Sequence, residues 1–327
     1  MSTPTQPPKM VDVFSDVERA TALAANPSGY AVTELAAADP RILTLTADLS
    51  NTLAEFREKF PERYIELGIA ETNSVSLAAG LATCGYVPYI FSMAPFGVLK
   101  TAEQLRTDVD YNHLPVRLVG RLSGLAMGYF GTSHYAVEDI AIARTLNNTV
   151  VVAPADALSA VALLRETASL DGPAYIRIAE QVPPVYDKEP SYGFGEWPRL
   201  RSGGDVTLIG HGLGVSLAAA AADLLADEHG IEADVFDAAY LRPFDADALA
   251  ESAGRTGRVL TIEDHSVVGG LSSLVAETIA ARRLAVALDT AALPAEDLEV
   301  GVPADLYEYY DLTAAGVAAK ALDLTRR

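Results

Sequence analysis

What most limits this chain is a rhythm. From residue 28 onward, apolar strand-like runs alternate with Ala-rich helical runs. Helix-like "GYAVTELAAADP" leads to "RILTLTADL", and "RYIELGIA" leads to "TNSVSLAAGLATCG" and then "VPYIF". "PFGVLKTAEQLRTDVDY" leads to "PVRLVGRL", "SHYAVEDIAIARTL" to "TVVVAPA", and "DALSAVALLRETASL" to "PAYIRIA". Helices between successive strands imply a parallel sheet with helices on its faces. The rhythm stops over residues 180–205, which are rich in Pro, Gly and aromatics. It resumes with "VTLIG", "VSLAAAAADLLADEHG", "EADVFDAAYL", "RVLTIED" and "LSSLVAETIAARR". The expected fold class is α/β in two domains. A disordered tail covers 1–10, a first domain 11–187, a linker 188–199 and a smaller α/β domain 200–327.

The totals narrow the function classes. With 327 residues, half of them hydrophobic, two cores are within reach. A formal net charge of −20 repels nucleic acid and acidic membrane surfaces, whose affinity depends on phosphate neutralisation by Lys and Arg. Cys84 is the single cysteine, so no internal disulfide forms and nothing points to an oxidising compartment. The start "MSTPTQPPKM" lacks a basic stretch and an apolar core, so no signal peptide is expected. The apolar window "SVSLAAGLATCGYVPYIF" is broken by Gly85 and Pro88 and reads as a helix and a strand, not a membrane span. The expected setting is cytoplasmic.

One stretch puts a carboxylate in an unusual place. In "RYIELGIAETN" (63–73) a strand-like run stops at Gly68 and a small-residue helix starts after Glu71, at the end of a strand read as buried. Carboxylates are rarely fully buried unless paired. Alone, Glu71 reads first as a helix cap and second as an acid that does chemistry; Glu66 reads as a surface residue. His134 in "GTSHYAVED" lies where a Gly-containing loop enters a helix, at the carboxyl end of "PVRLVGRL". Ligands of open α/β sheets bind at that edge, where Glu71 and His134 can converge; the plainer reading is a polar residue at a helix start. "GHGLGVS" (210–216) follows a strand, but its Gly-x-Gly-x-Gly spacing departs from a dinucleotide fingerprint and reads as a tight turn. The histidines (His113, His134, His211, His229 and His265) show no metal-ligand spacing, and no metal site is expected. His229, before Gly230, reads as a structural residue at a helix C-terminus.

These residues carry a resemblance. "RYIELGIAETNSVSLAAGLA", "FSMAPFGVLKTAEQLRTDV", "GTSHYAVEDIAIART" and "VVVAPADA" resemble the pyrimidine-binding domain of transketolases. "VTLIGHGLGVSLA", "LRPFD" and "TIEDHSVVGGLSS" resemble the C-terminal domain of the same enzymes. The similarity runs in order over nearly the whole chain from about residue 28, and the chain resembles the C-terminal subunit of a split transketolase. The resemblance implies thiamine diphosphate as cofactor. It places Glu71 as the acid bonded to the pyrimidine N1′, which favours the imino tautomer and lets the 4′ nitrogen take the C2 proton. Burial against Ile69 and Ala70 raises such an acid's pKa and a helix N-terminus lowers it. Phe96 in "APFG" matches the aromatic stacked on the pyrimidine, Asp48 in "TADLS" an aspartate near the cofactor at the subunit interface, and His134 the histidine at the substrate's reacting carbonyl and hydroxyl. His265 matches a family position to which no role is given; it is read as structural.

The departures matter as much. The family grips the diphosphate and Mg²⁺ with Gly-Asp-Gly followed by Asn, and no "GDG" occurs here. The chain is therefore expected to need an N-terminal transketolase subunit for the diphosphate and Mg²⁺, two of each chain forming the enzyme. Where sugar-phosphate transketolases carry "GEDGPTH", this chain has "GYFGTSH", with Tyr129 and Phe130 in place of Glu and Asp. Ungapped matching puts Ala25, Leu122 and Glu180 where the family binds the substrate phosphate with two Arg and a His. A carboxylate there repels a phosphate dianion that Arg holds in a bidentate pair. Arg121 and Arg177 are nearby, but neighbours on a strand point to opposite faces.

The expected function is two-carbon ketol transfer from a ketose or keto donor to an aldehyde-like acceptor, with at least one substrate unphosphorylated or less polar than usual. Three alternatives stand beside it. One is the β subunit of a 2-oxo acid dehydrogenase complex, another a non-catalytic partner subunit, and the third a dinucleotide-dependent oxidoreductase built on "GHGLG".

Overall fold

The computed structural model describes residues 26–180 and 182–327; the tail at 1–10 and Ala25 lie outside them. Two α/β layers form as the alternation predicts. The first sheet holds β1 (Ile42–Thr46), β2 (Tyr64–Glu66), β3 (Val87–Met93), β4 (Arg117–Arg121), β5 (Val150–Val152) and β6 (Ala174–Arg177). The second holds β7 (Arg199–Arg201), β8 (Val206–Gly210), β9 (Ala233–Asp237), β11 (Arg258–Ser266) and β12 (Ala287–Leu293), while β10 (Tyr240–Arg242) joins the first sheet. The orders are β10-β5-β6-β4-β3-β1-β2 and β12-β11-β8-β9-β7. All pairings are parallel except β10 on β5 and β7 on β9. The central strands β1, β4, β5 and β6 are almost wholly buried, as expected of a sheet covered on both faces.

Local chemistry sets the helix starts. Asn26 accepts from Gly29 N at 3.1 Å ahead of Pro27–Ala38, and Asp156 and Ser159 form a reciprocal capping box ahead of Ala157–Thr167. Each such cap contributes about 1 kcal/mol. In "GHGLGVS" the tight-turn reading holds. A Cβ on Gly210 would meet the Gly214 carbonyl carbon at 2.4 Å, and one on Gly214 would meet Ile262 O at 2.2 Å. The glycines let the turn and the helix Leu213–His229 press onto the sheet. That helix ends at His229, with Gly230 left-handed after it.

Several elements depart from the sequence reading. β2 is a three-residue edge strand, half exposed, and not a buried strand running to Gly68. Residues 67–70 are loop, and Glu71 is the first residue of the helix Glu71–Thr83. Ile69 is 74% exposed and so does not bury that carboxyl. The helix expected from Ser133 starts only at Asp139; before it, Gly128–Ser133 winds as a 3-10 segment interrupted at Gly131. The run "EADVFDAAYL" is two strands, and the second crosses to the first sheet, pairing Tyr240 with Val152. The connecting segment is packed down. Trp197 is buried and donates from Nε1 to Tyr240 O at 2.8 Å, while the Tyr186 and Tyr192 hydroxyls both reach Asp237 Oδ2 at 2.8 Å. One apolar cluster accordingly runs from Tyr30 through the first sheet to Leu271 and Val275.

Among the described residues, no helix is long and apolar enough to cross a membrane.

Candidate active site

The carboxyl edge of the first sheet gathers the sequence-predicted residues, because each follows a parallel strand that ends there. Glu71 comes after β2, Asp48 after β1, Phe96 after β3, Phe130 and His134 after β4, and Glu180 after β6.

Glu71 is 4% exposed at the first position of its helix, and Lys100 Nζ lies 2.7 Å from its Oε2. Lys100 has no place in the sequence reading. Its signal is its spacing: it falls four residues after Phe96, one helical turn on. The Lys100 side chain remains 47% exposed, so it holds Glu71 from the solvent side. Glu66 is exposed as expected but has work there. Its Oε1 accepts from Gly68 N at 3.0 Å and from Asp48 N at 3.5 Å, and Tyr64 OH donates to its Oε2 at 2.9 Å. It thereby ties the loop before Glu71 to the turn at Asp48, whose φ is 63°. The Asp48 side chain is exposed on the rim.

Phe96, Phe130 and His134 come together. The Phe130 ring stacks on His134 with centroids 4.6 Å apart at 29°, and Phe96 meets the imidazole edge-on at 5.1 Å and 76°. Phe130 is 58% exposed and Tyr129 64%. Ser133 Oγ lies 2.9 Å from His134 Nδ1 and donates to Phe130 O at 3.2 Å. With its hydrogen on that carbonyl, the hydroxyl accepts from Nδ1–H, leaving Nε2 of His134 as an acceptor.

At the end of β4 it is Arg121, not Leu122, that faces Glu180. Arg121 donates from Nε and Nη2 to the two Glu180 oxygens at 2.8 and 2.9 Å, and from Nη1 to Thr52 Oγ1 at 2.7 Å and Asn26 Oδ1 at 3.3 Å. Leu122, with φ 56°, takes the chain out of the strand instead. Thr52 and Asn26 are also absent from the sequence reading.

Behind the rim lies a buried polar network joining the two layers. Arg177, fully buried, donates to Asp139 Oδ2 at 2.9 Å, to Asp264 Oδ1 at 2.7 Å and to the carbonyls of Ala136 and Asp264. Burial lowers its pKa, but the two carboxylates outweigh burial and hold it protonated above its ordinary range. Arg177 is therefore unavailable to a substrate. His265 is fully buried beside this network. Its Nδ1 lies 2.8 Å from the Ser266 carbonyl, and its Nε2 accepts from Ala141 N at 3.4 Å. That is the bonding of the Nδ1–H tautomer. Ser266 N donates to Val137 O at 2.8 Å, and Tyr135 OH reaches Glu299 O and, at 3.2 Å, Gly128 O. The loop carrying Phe130 and His134 is thus anchored by the second domain. Among the described residues, no group of three or more His, Cys, Asp or Glu is placed to hold a metal.

Comparison with known proteins fits this geometry. The model described as the transketolase pyrimidine binding domain matches residues 23–184, and that described as the transketolase C-terminal domain matches 195–317. An apulose-4-phosphate transketolase subunit of Phocaeicola vulgatus is 33% identical over 298 residues, covering 90% of this chain and 95% of that one. The 6-deoxy-6-sulfo-D-fructose transketolase subunit SqwH of a Clostridium species is 35% identical over 297 residues, covering 90% and 92%. A solved structure described as a split gene transketolase, inactive beta4 tetramer, superposes with a TM-score of 0.85 at 36% identity, covering 92% of this chain and 97% of that chain.

Proposed function

The chain belongs to the transketolase family, and on that premise we propose that it is one subunit of a two-chain, thiamine diphosphate-dependent transketolase. It moves a two-carbon ketol unit from a ketose or keto donor to an aldehyde-like acceptor, at least one of them not an ordinary sugar phosphate. The observation that carries this reading is a buried carboxylate, Glu71, on the same sheet edge as the Phe96–His134 pair, in a chain with no metal-binding cluster among its described residues.

The residues fit the pyrimidine end of the cofactor and not its diphosphate end. Thiamine diphosphate, when bound, supplies the carbon that carries the ketol unit between substrates. With the cofactor bound, Glu71 would share a proton with its pyrimidine ring, and Phe96 would offer its ring to the pyrimidine face. For that task Lys100, half exposed, would give up its 2.7 Å pairing with Glu71. His134 presents Nε2 to the substrate's reacting hydroxyl, held in orientation by Ser133 and by the Phe130 ring. Phe130 stands where sugar-phosphate enzymes carry a hydroxyl-reading aspartate, which supports the altered substrate.

The diphosphate and Mg²⁺ then come from an N-terminal partner, two of each chain making the enzyme. Relatives named as transketolase subunits support this, as does a related chain whose tetramer of β subunits alone is described as inactive. The acidic charge and single cysteine support a cytoplasmic setting. The relatives named above are transketolase subunits, which does not favour the dehydrogenase, non-catalytic or dinucleotide readings. The experiment is to titrate thiamine diphosphate and Mg²⁺ into this chain alone and with the product of a neighbouring reading frame. Ketol transfer only in the mixture is expected; full activity of the chain alone overturns the proposal.

A further inference from the structure

The Arg121–Glu180 pair bears on substrate choice through its geometry. Four of the five N–H groups of Arg121 are used, two by Glu180 and two by Thr52 and Asn26. Both side chains are mostly covered, at 14% and 23% exposure, so the pair is not a loose surface contact. The pair borders a cavity of about 260 Å³, also lined by Ser28, Asp156, Ile178 and Val182. The Asp156 carboxylate is fixed as well, accepting from Ser159 N, Val185 N and Tyr186 N, each at 2.8 Å. Among the described residues that line it, one cation therefore stands against two carboxylates. A phosphate dianion binds a guanidinium through its two-pronged edge, and here that edge is already taken by Glu180.

We infer that Glu180 is a specificity-determining residue that closes an otherwise competent anion site at Arg121, so that the far end of the substrate is a neutral, hydroxylated group. The inference rests on the transketolase reading and deepens it. Arg121 and Glu180 share the carboxyl edge with His134, and Arg121 ends the strand whose following loop carries it. A hydroxyl can bond to carboxylate oxygens that a phosphate is repelled by. The preference is opposite to what the anionic sugars in two relatives' names lead one to expect.

The test uses the complex with its partner and matched acceptors: D-erythrose against erythrose 4-phosphate, and D-ribose against ribose 5-phosphate. The wild type is expected to favour the neutral member of each pair by about tenfold or more in kcat/KM. Glu180→Gln is expected to raise the ester-to-neutral ratio by about tenfold, mainly through KM of the ester, and Arg121→Met in that background to remove the gain. Glu180→Ser serves as a second variant should Glu180→Gln misfold. In parallel, inorganic phosphate is titrated by calorimetry into the wild-type and Glu180→Gln complexes. Phosphate bound by the variant and not by the wild type supports the inference. Equal binding by both, or a wild type that prefers the esters with a ratio unmoved by either variant, overturns it. Failure of the transketolase reading would show separately, as no ketol transfer from any donor, and the phosphate titration would still decide the role of Glu180.

Discussion

The loop from Gly128 to Asp139 has two sides, and they are built in opposite ways. Toward solvent it shows Tyr129, Phe130 and His134, held by ring contacts and one serine hydroxyl. Toward the interior it is bolted through Ala136, Val137 and Asp139 to Arg177 and Ser266. The solvent side is loosely paired, as the proposed contacts with a cofactor, a substrate and a second subunit require. The interior side is densely paired because charges out of water are tolerated only when matched. Rigidity is supplied from behind, leaving the reacting groups free to bind.

The largest effect should come from breaking the interior side. Arg177→Met leaves Asp139 and Asp264 as uncompensated buried charges, costing about 3–5 kcal/mol. Thermal unfolding should show a marked fall in Tm, and adding Asp139→Asn and Asp264→Asn should recover part of it. An unchanged Tm would mean that the two sides are not built differently. Glu71→Gln probes the candidate site outside that loop. Ketol transfer by the complex should fall by about 10²–10⁴. Stability should move by about 1 kcal/mol or less, since the lost ion pair is to a half-exposed lysine.

A third test asks whether the packed connecting segment belongs with the interior side. Burial pushes the Asp237 carboxyl up to about 7, against the bonds from Tyr186 and Tyr192, which favour its ionised form. Below about pH 4 it is protonated folded and unfolded, and folding carries no penalty. From about pH 4 to about 7 the folded chain keeps a proton that the unfolded chain releases, so stability falls as pH rises. Above about 7 the loss is complete, worth up to about 4 kcal/mol. Asp237→Asn, which keeps a carbonyl for both tyrosines, should flatten the dependence of Tm on pH between about 5 and 8. If wild type and variant follow the same curve, Asp237 ionises as freely as an exposed carboxylate.

The two sides also differ in how far the sequence exposes them. The α/β alternation is legible because helix and strand periods survive in any one segment. Glu71, Phe96, Phe130 and His134 are legible through motif resemblance, because each follows a strand end. The interior network is not. Arg177, Asp139 and Asp264 are charged residues 38 and 87 positions apart in their pairings, and charge alone argues for the surface. Strand β10 is hidden for a similar reason. Ala238 and Ala239 keep "EADVFDAAYL" apolar across the break, and the antiparallel partner at Val152 is far away in the chain. Lys100 and Arg121 show the same limit at the site itself: the residue type is visible, and the partner is not.

The smallest predicted effect tests the solvent side at one side-chain hydrogen bond. Ser133 Oγ is the hydrogen-bond partner found for His134 Nδ1 among the described residues. Ser133→Ala removes it and leaves both ring contacts in place. A net hydrogen bond of this kind is worth about 1 kcal/mol, or about fivefold in rate where it fixes the reactive tautomer. The kcat/KM for ketol transfer should therefore fall by roughly three- to tenfold. Tm should stay close to that of the wild type, because the hydroxyl is at the exposed end of the segment. Ser133→Thr, which keeps the hydroxyl, should restore most of the rate. A loss of stability matching the loss of rate would mean that the serine holds the loop rather than the histidine, and that the solvent side is anchored like the interior one.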